Sequence, residues 1–178
     1  MQDVNIRNIK RLEELRKKLE LKGLDGALIC KRENYRYFSG FTGTLAYIIV
    51  TSEKAYLLTD SRYVTQAASQ APFFEIIRIQ GDALPFICDV VKEQGIKALG
   101  FEETFVTYDF YVKLKTKLGK TELFPLLDIP DEMRAVKDDG EIEAIRKSVE
   151  IADRAFEYIL AYIRPGIREY EIAAEIEH

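Results

Sequence analysis

Near the start of the chain, Ile6, Ile9, Leu12, Leu15 and Leu19 recur at three-and-four spacing, the pattern of a helix with one apolar side. Lys22-Gly23 stops that helix, with glycine as the left-handed cap. The period then changes. Residues 26–30 form a short unbroken apolar run, which predicts a buried strand. Polar residues interleaved with aromatics over 31–38 predict a short helix, followed by a glycine-bearing loop, Ser39-Gly40-Phe41-Thr42-Gly43-Thr44. Runs 45–50 and 54–59 are rich in β-formers and flank Thr51-Ser52-Glu53, the arrangement of an antiparallel hairpin. The chain then alternates: a helix over 62–71 with Asp60 or Ser61 as N-cap, a strand over 73–79, a helix over 84–94, a strand over 96–101, a helix over 104–118 and a strand over 121–124.

This order predicts an α/β fold of three layers, a mixed and partly antiparallel sheet with helices on both faces. Its end is expected between Pro125 and Pro130, which gives a first domain of 1–130 and a second segment of 131–178. The second segment has another character. Asp138 with Glu141 makes a capping-box start. Ile142, Ile145, Val149, Ala152, Phe156, Ile159 and Ile163 form one long apolar stripe. Arg164-Pro165-Gly166 breaks that helix, and a further one begins at Glu169. Two amphipathic helices without a following sheet lead to the expectation that 131–178 opens a second domain that is cut short at His178.

Composition narrows the function classes. The chain has 178 residues, 31% of them charged and 47% apolar, as in a globular protein, and no apolar run long enough to span a bilayer. Neither a signal pattern at the start nor a clustered basic surface is visible, and the formal net charge is −4, which argues against nucleic acid and membrane as partners. Cys30 and Cys88 both sit among apolar neighbours and are expected to be buried free thiols, consistent with a reducing cytoplasm.

Candidate chemistry is sparse. The single histidine is His178, so a Ser–His or Cys–His pair would depend on the last residue, and a structural zinc site lacks its ligands. Gly40-Phe41-Thr42-Gly43 lacks the Lys-Ser/Thr ending of a phosphate loop, and a turn needing positive backbone angles accounts for its glycines. Asp60, Arg62 and Tyr63 follow a strand end, where ligands of open α/β sheets bind. The plainer expectation is that Asp60 caps the next helix while Arg62 pairs with a carboxylate. Glu102 and Glu103 are a candidate carboxylate pair, with a solvated loop as the plainer expectation. Phe38, Phe41 and Tyr47 are candidate pocket linings and, more simply, core.

Several segments together resemble one family. Asn34-Tyr35-Arg36-Tyr37-Phe38-Ser39-Gly40-Phe41-Thr42-Gly43-Thr44 is similar to a signature stretch of the creatinase/prolidase amino-terminal domain. Thr59-Asp60-Ser61-Arg62-Tyr63 with Gln66-Ala67 resembles that family's TDGRY…QA, with Ser61 in place of the commoner glycine. Gly100-Phe101-Glu102 matches its GFE. Arg134 to Lys137, with Glu141-Ile142 and Ile145-Arg146, resembles its linker, and Pro165-Gly166-Ile167 with Glu169-Tyr170-Glu171-Ile172-Ala173 the start of its pita-bread catalytic domain. The resemblance implies a ribonuclease-H-like amino-terminal fold and a proline-specific metallopeptidase, an Xaa-Pro dipeptidase or aminopeptidase, as the full-length parent. Two divalent ions (Mn, Co or Zn) would be held there by two Asp, one His and two Glu, none of which maps onto this chain. No cofactor, metal site or catalytic residue is therefore expected in the chain itself. The family further implies a homodimer, Xaa-Pro peptides as substrate, and a role for Gly40, Phe41, Thr42, Gly43 and Thr44 in reaching a partner's active site and limiting substrate length. For Asp60, Arg62 and Tyr63 it implies a structural role. Two other readings stay open: a creatinase-type C–N hydrolase and a non-catalytic interaction module of the same fold.

Overall fold

The computed structural model describes residues 2–177, with side chains from Ile6 onward, so His178 lies outside the described residues. The chain divides into two compact units, with the boundary between Arg134 and Ala135.

The first unit contains α1 (Gln2–Leu21), β1 (Gly26–Ile29), α2 (Arg32–Ser39), β2 (Tyr47–Thr51), β3 (Ala55–Thr59), α3 (Val64–Gln70), β4 (Glu75–Arg78), α4 (Leu84–Glu93), β5 (Ala98–Phe101), α5 (Tyr108–Leu118), β6 (Glu122–Pro125) and α6 (Ile129–Ala135), the last reaching one residue past the boundary. Its six strands form one sheet in the order β4-β3-β2-β1-β5-β6. The β1–β2 and β2–β3 pairs are antiparallel, and β3–β4, β1–β5 and β5–β6 are parallel. This is the mixed sheet the alternation predicts.

The central strand shows why the apolar run is unbroken. All four residues of β1 are buried, because side chains alternate between two covered faces. Ala27 and Ile29 join Ile48, Val50 and Leu57 under the helix residues Leu12, Leu15, Phe38, Ala67 and Met133. Leu28 joins Ile49, Leu58 and Leu99 on the other face, under Leu84, Ile87, Val91, Leu114 and Leu118. Helices α1, α2, α3 and α6 thus cover one face and α4 and α5 the other. Cys30 and Cys88 are free and buried, as expected from their neighbours.

Strands β4 and β5 start two residues later than the runs predict, at Glu75 and Ala98, and three helices differ from the pattern reading as well. The helix expected at Arg62 starts at Val64, because residues 60–63 form a turn: the Tyr63 N–H donates to the Asp60 carbonyl at 3.1 Å. Asp60 is therefore not its N-cap. Helix α5 starts at Tyr108 rather than Thr104, since the Thr107 hydroxyl accepts the Phe110 N–H, and the Phe105 and Val106 amides turn back onto the Glu102 carbonyl. Helix α6 is an addition to the expected elements. Pro130 reads as a stop in sequence, yet it occupies the first turn of α6, where proline lacks only an N–H that would go unpaired anyway.

The second unit contains the remaining helices, α7 (Asp139–Tyr162) and α8 (Glu169–Glu177). The capping box is present: the Asp138 carboxylate accepts the Glu141 N–H at 2.9 Å, and the Glu141 carboxylate accepts the Asp138 N–H at 3.0 Å. Most of the apolar stripe is exposed, Ile145 at 50%, Val149 at 51% and Phe156 at 63%, whereas Ile159 is buried. Among the described residues no helix is long and apolar enough to cross a membrane.

Gly100 lies where the sheet and the segment after β6 approach closely. A Cβ there would lie 2.5 Å from Leu126 Cδ2 and 3.0 Å from Leu24 Cδ1, and Leu126 is fully buried. Gly100→Ala is expected to destabilise the chain by about 1–3 kcal/mol, through overpacking. The measurement is the urea midpoint, which should fall without a change in slope.

Candidate functional site

Two sequence signatures that lie apart in the chain meet at one end of the sheet. The loop 40–44 leaves α2 through Gly40 and lies against the turn 60–63 and helix α3. Phe41 is fully buried, 6.2 Å from the Tyr35 ring and 5.9 Å from the Tyr63 ring, which it meets edge-on. The Tyr35 hydroxyl donates to the Gly43 carbonyl at 2.9 Å, and the Phe41 N–H donates to the Ser39 hydroxyl at 3.1 Å. Gly43 has to be glycine because its Cβ would stand 2.2 Å from Phe41 Cζ.

Helix α3 holds the outer side of the loop. The Gln70 side-chain oxygen accepts the Thr42 N–H at 2.9 Å, and the Gln66 amide donates to the Thr42 hydroxyl at 2.9 Å. The Thr44 and Tyr63 hydroxyls are hydrogen-bonded at 2.8 Å. Of the five loop residues, only Thr42 and Thr44 are exposed. Phe41 is thus an internal anchor, and Thr42 and Thr44 carry the loop's exposed side chains.

Asp60 and Arg62 face each other. The Asp60 carboxylate takes the Arg62 N–H at 2.9 Å and the guanidinium at 2.7 Å. The guanidinium hydrogen bond holds the Asp60 carboxyl below the usual carboxylate range, and the same contact pushes Arg62 up. Both act within one turn, and Tyr63 carries the link to the loop. Phe38 is fully buried in the core. Tyr47 is half-buried and lies parallel to the Phe110 ring, with centroids 6.5 Å apart.

Glu102 is where reading the chain locally fails. It is not in a solvated loop but 4% exposed, at the carboxyl end of β5. One oxygen accepts the Cys30 N–H at 2.6 Å and the Lys31 N–H at 2.7 Å, and the other accepts the Asn34 amide at 2.6 Å. Burial pushes its carboxyl up, and these donors oppose the shift. The Asn34 oxygen in turn accepts Arg134 at 3.0 Å, and Arg134 also binds Asp131. Burial, and then the Glu102 charge, raise the Cys30 thiol well above its ordinary value, so it is a poor nucleophile. Glu103 points elsewhere and accepts the Leu127 N–H at 3.3 Å, so the two glutamates do not act as a pair. The sequence signals for Glu102 are its place directly after a buried strand and the family resemblance of Gly100-Phe101-Glu102.

Truncating Glu102 would leave the buried Cys30 N–H, the part-buried Lys31 N–H and the Asn34 amide without their acceptor. Glu102→Ala is therefore expected to destabilise by about 3 kcal/mol, and Glu102→Gln by less, since it keeps one oxygen. Thermal unfolding should show the alanine variant melting roughly 10 °C lower. A loss below about 1 kcal/mol would mean that the carboxylate does not organise this junction.

Among the described residues no group of three or more His, Cys, Asp or Glu is placed to hold a metal ion. The carboxylates just described are committed to backbone amides and to Arg62, so the described residues do not fit a di-metal centre. The profile of the creatinase/prolidase N-terminal domain matches residues 11–136, and that of metallopeptidase family M24 matches residues 143–178. The uncharacterized peptidase YqhT of Bacillus subtilis is 38% identical over 167 residues, 94% of this chain and 47% of that protein. A solved Xaa-Pro dipeptidase from Bacillus anthracis superposes with a TM-score of 0.90 at 36% identity, covering 96% of this chain and 48% of its own. The solved N-terminal domain of the cytoplasmic peptidase PepQ from Mycobacterium tuberculosis superposes with a TM-score of 0.65 at 35% identity, covering 70% of this chain and 98% of its own. The chain spans about half the length of the curated relatives it matches. With the six-stranded mixed sheet, the buried Glu102 and the loop 40–44 in place, the chain belongs to the creatinase/prolidase family, with its amino-terminal domain at residues 11–136.

Proposed function

We propose that this chain is the amino-terminal, non-catalytic part of a metallopeptidase that hydrolyses the peptide bond preceding proline. The observation that carries this is the continuous order of the two family matches, 11–136 and then 143–178, together with the superposition on an Xaa-Pro dipeptidase. In this reading residues 1–130 form the amino-terminal domain and residues 131–178 lead into the catalytic one. The divalent metals, Mn, Co or Zn, belong to the catalytic part. No described residue is assigned a role in holding them.

The contribution of this part is assembly and selection. The full-length enzyme is a homodimer, and the loop 40–44 borders a neighbouring subunit's substrate channel and limits peptide length. The rigid pinning of Thr42 by Gln66 and Gln70 supports this, because a loop that selects by length has to hold its position. Asp60, Arg62 and Tyr63 keep that loop in register. A cytoplasmic location fits the two buried unbridged thiols and the likeness to PepQ, a cytoplasmic peptidase. The formal net charge of −4 fits peptides better than nucleic acid as substrate.

The first test is the gene sequence beyond codon 178. Ordered Asp, Asp, His, Glu and Glu ligands there are expected. Their replacement would make the protein an interaction module instead. Incubated alone with Ala-Pro or longer Xaa-Pro peptides and Mn²⁺, Co²⁺ or Zn²⁺, the purified chain should release no product, and metal-dependent turnover would place the active site within it. In the full-length enzyme, Thr42→Ala with Gln70→Ala should raise kcat/KM for tripeptides relative to dipeptides by about fivefold, through a loosened loop. An unchanged ratio would remove the loop from length selection.

A further inference from the structure

The strand order places a topological switch point between β1 and β5. These neighbours are parallel, the chain leaves β1 toward β2 on one side, and it leaves β5 toward β6 on the other. In open α/β sheets, a crevice at such a point, outside the carboxyl ends of the strands, is where small ligands bind. Here the carboxyl ends are followed by Cys30 and Glu102. A cavity of about 140 Å³ opens beside them, lined by Cys30, Tyr47, Phe105, Val106, Thr107 and Phe110.

Its walls are aromatic. The Tyr47 and Phe110 rings are parallel to within 2°. Phe105 is 50% exposed, an apolar ring left half in water at the mouth. The Cys30 thiol is buried and unbridged beneath them. The volume matches a single six-membered ring, since a cavity of about 150 Å³ takes benzene. Tyr47, through its hydroxyl, and Thr107 supply polar atoms on an otherwise apolar lining, the composition of a small-molecule site.

We propose that this cleft binds a small aromatic molecule, one ring carrying a polar substituent, between Tyr47, Phe105 and Phe110. The site is separate from the loop 40–44 and does not depend on the peptidase reading. It rests on ring faces as well as on apolar area, so it discriminates an aromatic ring from a saturated one of the same size.

The test is titration of the chain with phenol and with cyclohexanol, followed by ¹H–¹⁵N correlation spectra. Phenol should shift the amides of residues 30, 47 and 105–110 saturably, with a Kd of about 1 mM. Cyclohexanol should bind about fivefold more weakly. Phe105→Ala, at an exposed wall, should leave the remaining spectrum in place and weaken phenol binding by about fivefold, and Phe110→Leu should remove the preference for phenol. Equal binding of the two probes, shifts scattered over the surface, or no saturation by about 10 mM would each overturn the proposal. So would cleft resonances that respond to protein concentration rather than to phenol, which would identify the cleft as a protein contact.

Discussion

The junction at Glu102 is the constraint on which the first unit depends. A buried carboxylate at the end of β5 takes the first free amides after β1 and the side chain of Asn34 in α2. Those amides lie where a strand gives way to a helix, so no sheet or helix partner is available to them. The carboxylate therefore fixes three things together: the register of β1 against β5, the direction in which α2 leaves the sheet, and the position of Asn34. Through Asn34 it also reaches Arg134 and hence α6, whose Ile129 and Met133 close one face of the core. The same carboxylate adds to the burial that keeps the Cys30 thiol protonated.

Once α2 is aimed by this junction, the loop that follows has little choice. Tyr35 and Phe38 are carried into the core, and the Tyr35 hydroxyl holds the loop by the Gly43 carbonyl. Phe41 fills the space under Tyr63, and α3 closes the outside with Gln66 and Gln70. The result is a surface in which Thr42 and Thr44 are the exposed residues of a five-residue loop, on a base of buried aromatics. The loop carries no ionisable side chain of its own, and the nearby Asp60 is already paired with Arg62. Glu102 and Asp60 are likewise engaged with backbone amides and Arg62, which leaves neither free to hold a metal.

Much of the architecture is legible in the order of residues. The change of period after Gly23 separates α1 from β1, the Thr51-Ser52-Glu53 break marks the hairpin, and the Asp138 and Glu141 pair locates the start of α7. The departures are local as well. Asp60 has the residue type of a cap, but its own neighbour Arg62 claims it, and Pro130 has that of a terminator, but it opens α6. Each departure involves a residue type with two common uses, between which neighbours decide.

By itself the sequence determined most of the elements, the layered α/β class and the family signatures, because periodicity and turn chemistry are local properties. Tertiary structure alone decided what Glu102 does, where Phe41 goes and which strand ends form a cleft. The contacts responsible join Glu102 to Cys30 across 72 positions, Arg134 to Asn34 across 100, and Thr42 to Gln70 across 28. A carboxylate that will accept two backbone amides and one that will stay in water look alike in a sequence. What separates them is burial, and burial is set by the packing of helices against both faces of the sheet.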